Sequence, residues 1–214
     1  MADIFEEVDE EVRRDKFSQY WAQYGKLIIA GLVLIVVGTA GFVGWKHYRQ
    51  NQQIEYSAQF SAALAQIEAK KDADAISGLT ALAQEAGGGY GVLARFREAA
   101  LKANTGDRDG AVAIYREMAN DGGVDSLYAG LARLYAVMHQ LDTGDPEALS
   151  KDLTPLLAEN GAWRYSAREL AALLALRKGD TEAARKDYTQ LADDPKTPAG
   201  IRARAAEMLQ ALKI

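Results

Sequence analysis

The chain has 214 residues, of which 49% are hydrophobic and 26% charged, with a formal net charge of −5, two histidines and no cysteine. That composition excludes a disulfide framework, a cysteine metal site and a thiol nucleophile. His47 and His139, far apart in sequence, supply no zinc or di-iron ligand set, and no cofactor is expected. A mildly acidic chain also argues against nucleic acid as a partner, since such binding needs a basic patch or stripe.

Residues 1–26 form a short tail rich in acids, among them Asp3, Glu6, Glu7, Asp9, Glu10 and Glu11. Then Leu27 to Trp45 reads LIIAGLVLIVVGTAGFVGW, nineteen positions without a charge, bounded by Lys26 and Lys46. At about 1.5 Å per residue such a helix spans roughly 28 Å, close to one hydrocarbon core. Tyr20, Trp21 and Tyr24 before the run, and Trp45 and Tyr48 at its far edge, have the placement of an interfacial aromatic belt. Leu27 and Trp45 mark the ends of the predicted membrane anchor, in contact with lipid. The long acidic lead disfavours a cleavable signal peptide, which has a basic start and a shorter apolar region. Arg13, Arg14, Lys16 and Lys26 precede the run, and only Lys46 and Arg49 follow it closely. That bias predicts a cytoplasmic N-terminus and a large domain on the other side. Gly31, Gly38, Gly41 and Gly44 could favour lateral helix association, but no GxxxG pair is present and ordinary glycine content explains them as well.

Residues 46–56 read as a juxtamembrane helical connector, and 57–214 as an all-α repeat domain. Apolar residues recur there at three- and four-residue steps, with no strand-like alternation. Lys71-Asp72, Gly106-Asp107, Gly144-Asp145 and Gly179-Asp180 punctuate the pattern, their aspartates 35, 38 and 35 residues apart. A second acid follows two positions later each time, at Asp74, Asp109, Glu147 and Glu182, as capping and the helix dipole favour. A second marker keeps the same step: YGVLAR from Tyr90, YAGLAR from Tyr128, WRYSAR from Trp163, and a last Ala203-Arg204. Two markers sharing one uneven period indicate a helical-hairpin solenoid. The expected helix pairs lie near 90–119, 126–158 and 163–192, with a partial pair near 54–86 and a closing helix near 199–212.

These units resemble tetratricopeptide repeats. Tyr128-x-x-Leu131-Ala132-x-x-Tyr135 matches the first-helix signature, and Gly179-Asp180-x-x-x-Ala184-x-x-x-Tyr188 the turn and second helix. The distance from first aromatic to turn is longer than in the standard repeat, and the closing proline is mostly missing. The whole-chain order is similar to one bacterial family, the YfgM-like ancillary subunits of the SecYEG translocon. The matching features are the acidic tail, Tyr24-Gly25-Lys26 before the span, Gly44-Trp45 after it, Tyr90-Gly91-x-Leu93-Ala94 and Gly179-Asp180-x-x-x-Ala184-Arg185. The resemblance implies a single-pass inner-membrane protein with a periplasmic repeat domain, whose partners are the SecYEG translocon, periplasmic chaperones and exported chains. A cell-division or envelope scaffold of the same architecture is the alternative.

Arg95, Arg133, Arg168 and Arg204 share one repeat position. They form either a ladder that grips carboxylates or carbonyls of a bound chain, or stacking contacts to acids of neighbouring helices, the commoner fate of a residue repeated in every unit. Tyr90, Tyr128 and Trp163 read as core aromatics first. Tyr165 breaks the template and is the better contact candidate, so Arg95, Arg133, Tyr165 and Arg168 are the candidate partner-binding residues. Gly87-Gly88-Gly89 lacks the Lys-Ser/Thr of a phosphate loop and reads as a connector. His139 reads as structural or solvent-facing. No GxSxG, HExxH or paired constellation nominates a catalytic residue, so a scaffold is expected in preference to a peptidase or isomerase.

Overall fold

A computed structural model describes the backbone of residues 3–212 and the side chains of residues 18, 21–27 and 29–212. The tail bases Arg13, Arg14 and Lys16, the tail acids and Tyr20 lie outside the residues whose side chains are described. Helix α1 runs Asp3–Glu68, and contacts divide the chain into two units, Met1–Glu55 and Tyr56–Ile214. In the first unit the most apolar 18-residue window of α1 has a mean hydropathy of 2.5, and none of it is buried. Leu27 and Trp45 are both exposed. Thr39, the one hydroxyl in the run, donates to the Ile35 carbonyl at 2.6 Å, so it is paired within its own helix. Arg49 lies over the Trp45 ring, 4.5 Å from its centroid.

In the second unit the end of α1 is followed by α2 (Asp72–Glu85), α3 (Gly89–Asn104), α4 (Arg108–Asn120), α5 (Ser126–Gln140), α6 (Pro146–Leu153) with a 3₁₀ turn over Thr154–Leu157, α7 (Arg164–Arg177), α8 (Thr181–Asp193) and α9 (Ala199–Ala211). There is no strand among the described residues. Each helix packs mainly on its sequence neighbours. The core is therefore four small clusters in series: Tyr56, Leu79 and Leu82; Ala111, Tyr115 and Met118; Val137, Leu149 and Leu153; Ala184, Tyr188 and Leu191. Such a stack is held by nearest-neighbour interfaces.

The turns explain the period. Gly106 and Gly179 take left-handed φ values of 97° and 79°, and the next N–H reaches five residues back, Asp107 to Lys102 O at 2.8 Å and Asp180 to Ala175 O at 2.9 Å. That is the Schellman closure glycine favours. Asp107 and Asp180 then cap the next helix by accepting from Gly110 and Ala183 N–H groups, and Asp145 does the same from Glu147 and Ala148. The first turn departs from the expected register. Lys70 takes the left-handed position at φ 57°, Lys71 N–H bonds to Gln66 O at 2.9 Å, and Lys71 stands at the N-cap without a side-chain bond. Asp72 is thus already helical and acts only through the dipole.

The Ala-Arg marker also has a steric basis. Ala94, Ala132 and Ala167 have no exposed surface, and a methyl there lets two helices cross closely. In α9 the marker slips: Ala203 is exposed and Ala205 is the buried alanine. The α5–α6 pair is irregular because Pro155 stops α6 after eight residues, so α5 also touches α7 directly. Trp163 bridges that gap. Its indole N–H donates to Leu127 O at 2.8 Å, and its ring lies where a Cβ on Gly130 would approach within 2.8 Å.

Gly91 sits in the motif for a similar reason, since a Cβ there would overlap the Ala86 carbonyl oxygen, a backbone atom that cannot swing away. Gly91→Ala should lower the unfolding free energy of the solenoid by about 1–3 kcal/mol. Gly89→Ala, with open space around it, should stay within about 0.5 kcal/mol of wild type in the same denaturant titration.

Candidate functional site: an aromatic groove on the solenoid

Large apolar side chains of α3 and α5 that do not enter the helix crossings gather on one face. On α3, Leu93, Phe96, Ala100 and Asn104 fall at three- and four-residue steps, as do Tyr128, Leu131, Tyr135 and His139 on α5. Together with Phe60, Leu64, Arg97 and Tyr115 they line a groove of about 560 Å³.

Phe96 stands at its centre. Its ring centroid lies 6.0 Å from Tyr115, 6.4 Å from Tyr128 and 6.2 Å from Tyr135, all tilted or edge-on, as the ring quadrupole prefers. Tyr115 forms the floor, 5.3 Å from Tyr135 and stacked on His139 at 5.7 Å and 8°. Burial pushes the Tyr115 phenol up to about 12, so it stays protonated. Burial, then the positive charge of Arg108, hold the His139 imidazole below its usual range. Arg97 is exposed and forms no ion pair or hydrogen bond among the described residues. No carboxylate lines the groove.

The candidate residues named from sequence lie elsewhere. Arg95 pairs with Asp121 at 2.9 Å and Glu117 at 3.8 Å. Arg133 donates to Ala119 O at 3.1 Å and to the Asn120 amide oxygen at 3.4 Å. Arg168 stands 3.8 Å from Asp187, whose carboxyl is pushed up by burial against the pull of Arg168. Arg204 makes a two-pronged contact with Glu169 at 2.7 and 2.8 Å. The repeated arginine thus meets a different partner in every unit, and Arg95, Arg133 and Arg168 line three separate clefts. Tyr165 is partly buried, its hydroxyl 3.0 Å from Asp194 and its ring under the Arg164 guanidinium. Asp121 and Asp194 are equivalent helix C-caps. The Gly123 N–H, then Arg95, hold the first below the usual carboxylate range, and the Lys196 N–H, then Tyr165 and Arg164, the second.

The aromatic groove was not singled out by sequence. Tyr128, read there as a core residue, is 41% exposed and faces the groove. Phe96 passed unnoticed because any ring in an amphipathic helix reads as core. The available signal was the second apolar stripe of α3, Leu93, Phe96 and Ala100, on a different face from the fully buried Ala94. Among the described residues no three His, Asp or Glu side chains are grouped to hold a metal ion.

The family described as tetratricopeptide repeat-like domain matches residues 18–211. The chain is also similar to a protein of Aggregatibacter actinomycetemcomitans named ancillary SecYEG translocon subunit, 26% identical over 188 residues that cover 86% of this chain and 88% of that one. No solved structure matches.

The groove carries a titration that can be followed. The His139 pKa is lowered from 6.5 in the folded state, so the unfolded chain binds that proton first, and stability falls as pH drops below about 6.5 and levels off once the folded-state pKa is passed. Imidazole NMR of the intact protein should give His139 a midpoint under 6.5. His139→Gln should flatten the stability slope in that window, whereas a slope unchanged by the substitution would assign it to other groups.

Proposed function

The chain belongs to the tetratricopeptide repeat-like domain family, and from that premise we propose that it is a membrane-anchored scaffold, an ancillary subunit of the SecYEG translocon. Its apolar helix fits a single-pass protein of the inner membrane. In this reading residues 1–26 lie in the cytoplasm, 27–45 span the bilayer, 46–56 connect, and 57–214 stand in the periplasm. There the solenoid meets periplasmic chaperones and newly exported chains.

One observation carries the reading: an uncovered apolar helix precedes a solenoid that bears an open aromatic groove, with no carboxylate in its lining. The name of the relative supports the translocon as the partner, since the likeness extends over 86% of this chain. The Lys/Arg bias around the span supports the orientation. A helical solenoid offers a surface for polypeptide binding and needs no chemistry of its own, which fits a scaffold in preference to an enzyme.

A fragment of residues 50–214 should be soluble and helical yet lose co-purification with the translocon that the full chain shows. In spheroplasts, protease added from outside should remove the solenoid. Undiminished co-purification of the fragment contradicts the anchoring role, and full protection of the solenoid reverses the orientation.

A further inference from the structure

Among the described residues of Tyr56–Ile214 the large hydrophobic side chains with more than a third of their surface exposed are Leu93, Leu127, Tyr128 and Met138. All four lie on α3 and α5, the two helices that face each other across the aromatic groove. Leu93 and Tyr128 line the groove itself, Leu127 and Met138 stand outside its lining, and the other large apolar groups described in this unit are covered at least in part. Concentrated apolar exposure of this kind marks a binding surface.

Charge says what would cover it. Arg97 is the one charged side chain in the lining, and it has no ion-pair or hydrogen-bond partner among the described residues. Arg108 lies close enough to depress His139. The repeated arginines differ in this respect, since Arg95, Arg168 and Arg204 each face an acid. The Asn104 amide adds a further donor, and no lining residue is an acid. A guanidinium beside apolar rings is complementary to a carboxylate, with which it forms charge-assisted hydrogen bonds. A lysine in the ligand would instead face like charge without a counter-ion.

Size restricts the occupant further. A groove of about 560 Å³ lies in the range of roughly 300–1,000 Å³ that encloses a few side chains rather than a folded domain. We propose that the groove takes a segment of unfolded polypeptide in which apolar side chains, seated on Phe96, Tyr128 and Tyr135, flank an Asp or Glu that pairs with Arg97. This rests on the scaffold reading above, for which it supplies the partner chemistry.

The test uses the full chain in nanodiscs and fluorescence anisotropy with three labelled peptides. One carries Leu and Phe residues around a single Glu, the second has Lys in place of that Glu, and the third has Ser in place of its Leu and Phe residues. The acidic apolar peptide should bind about tenfold tighter than either of the others. Tyr128→Ser, at an exposed position, should weaken it by about tenfold. Arg97→Glu, which cannot be mistaken for misfolding, should invert the preference so that the Lys peptide binds better. Equal binding of the Glu and Lys peptides, or an unchanged preference in Arg97→Glu, overturns the assignment. So does dimerisation that Tyr128→Ser abolishes, which would make a second copy the occupant, or displacement of the peptide by a neutral acyl chain at equal strength. Translocon co-purification of the same proteins separates the two readings. Co-purification without peptide preference removes only the groove assignment, and peptide preference without co-purification removes only the translocon reading.

Discussion

Close helix crossing at fully buried alanines is the constraint on which the rest of the solenoid depends. Ala94, Ala132 and Ala167, with Ala111 and Ala184 on the returning helices, have no exposed surface at all. A methyl at each crossing leaves no room for a large side chain, so the rings and leucines of the same helices must project elsewhere. Some enter the gaps between successive hairpins, where Tyr115 and Tyr188 are buried. The remainder, Leu93, Phe96, Tyr128 and Tyr135, line the groove. One steric rule thus makes both the stack and its open apolar surface. It also explains why the core is four clusters in series, because no cluster reaches beyond its neighbouring helices.

Much of this was legible in the residues. The Gly-Asp turns and the Ala-Arg marker located the hairpins because each has a local cause that leaves a fixed residue type: a left-handed φ that glycine accepts, an N-cap that aspartate satisfies, and a crossing that only alanine fits. Where the cause could be met another way, the reading slipped. Lys70 takes the left-handed position in the first turn, so the residue equivalent to Asp107 is Lys71 and not Asp72. In the α5–α6 pair Leu149 and Leu153 replace the Ala and Tyr of α4 and α8, and Pro155 ends α6 early. Trp163 compensates by reaching across to Leu127 and Gly130.

The groove was hidden for a different reason. Periodicity reports that a position is apolar, but the choice between a covered and an uncovered face depends on which helices are neighbours. Tyr90 and Tyr128 occupy the same sequence position, yet Tyr90 packs beside Phe60 at 6.2 Å and joins the first cluster, whereas Tyr128 stays exposed. The repeated arginines show the same limit. Their position recurs, but the acids around them do not, so each guanidinium finds a separate partner within the chain. Arg97, which belongs to no repeat marker, is the cation left beside the apolar surface.

Membrane span and solenoid address separate needs in this account. In the proposed function the apolar helix confines the chain to the bilayer, while the solenoid supplies shape, rings and the Arg97 guanidinium beside them. The net charge of −5 over the whole chain provides no strong field to select partners at a distance, and the proposed function therefore assigns proximity to the translocon to the anchor. The most direct measurement is cross-linking in growing cells from a photoreactive residue placed at Val36, in the middle of the apolar run. Adducts with the translocon channel subunits are the predicted result. Adducts with division proteins and none with the channel would contradict the account.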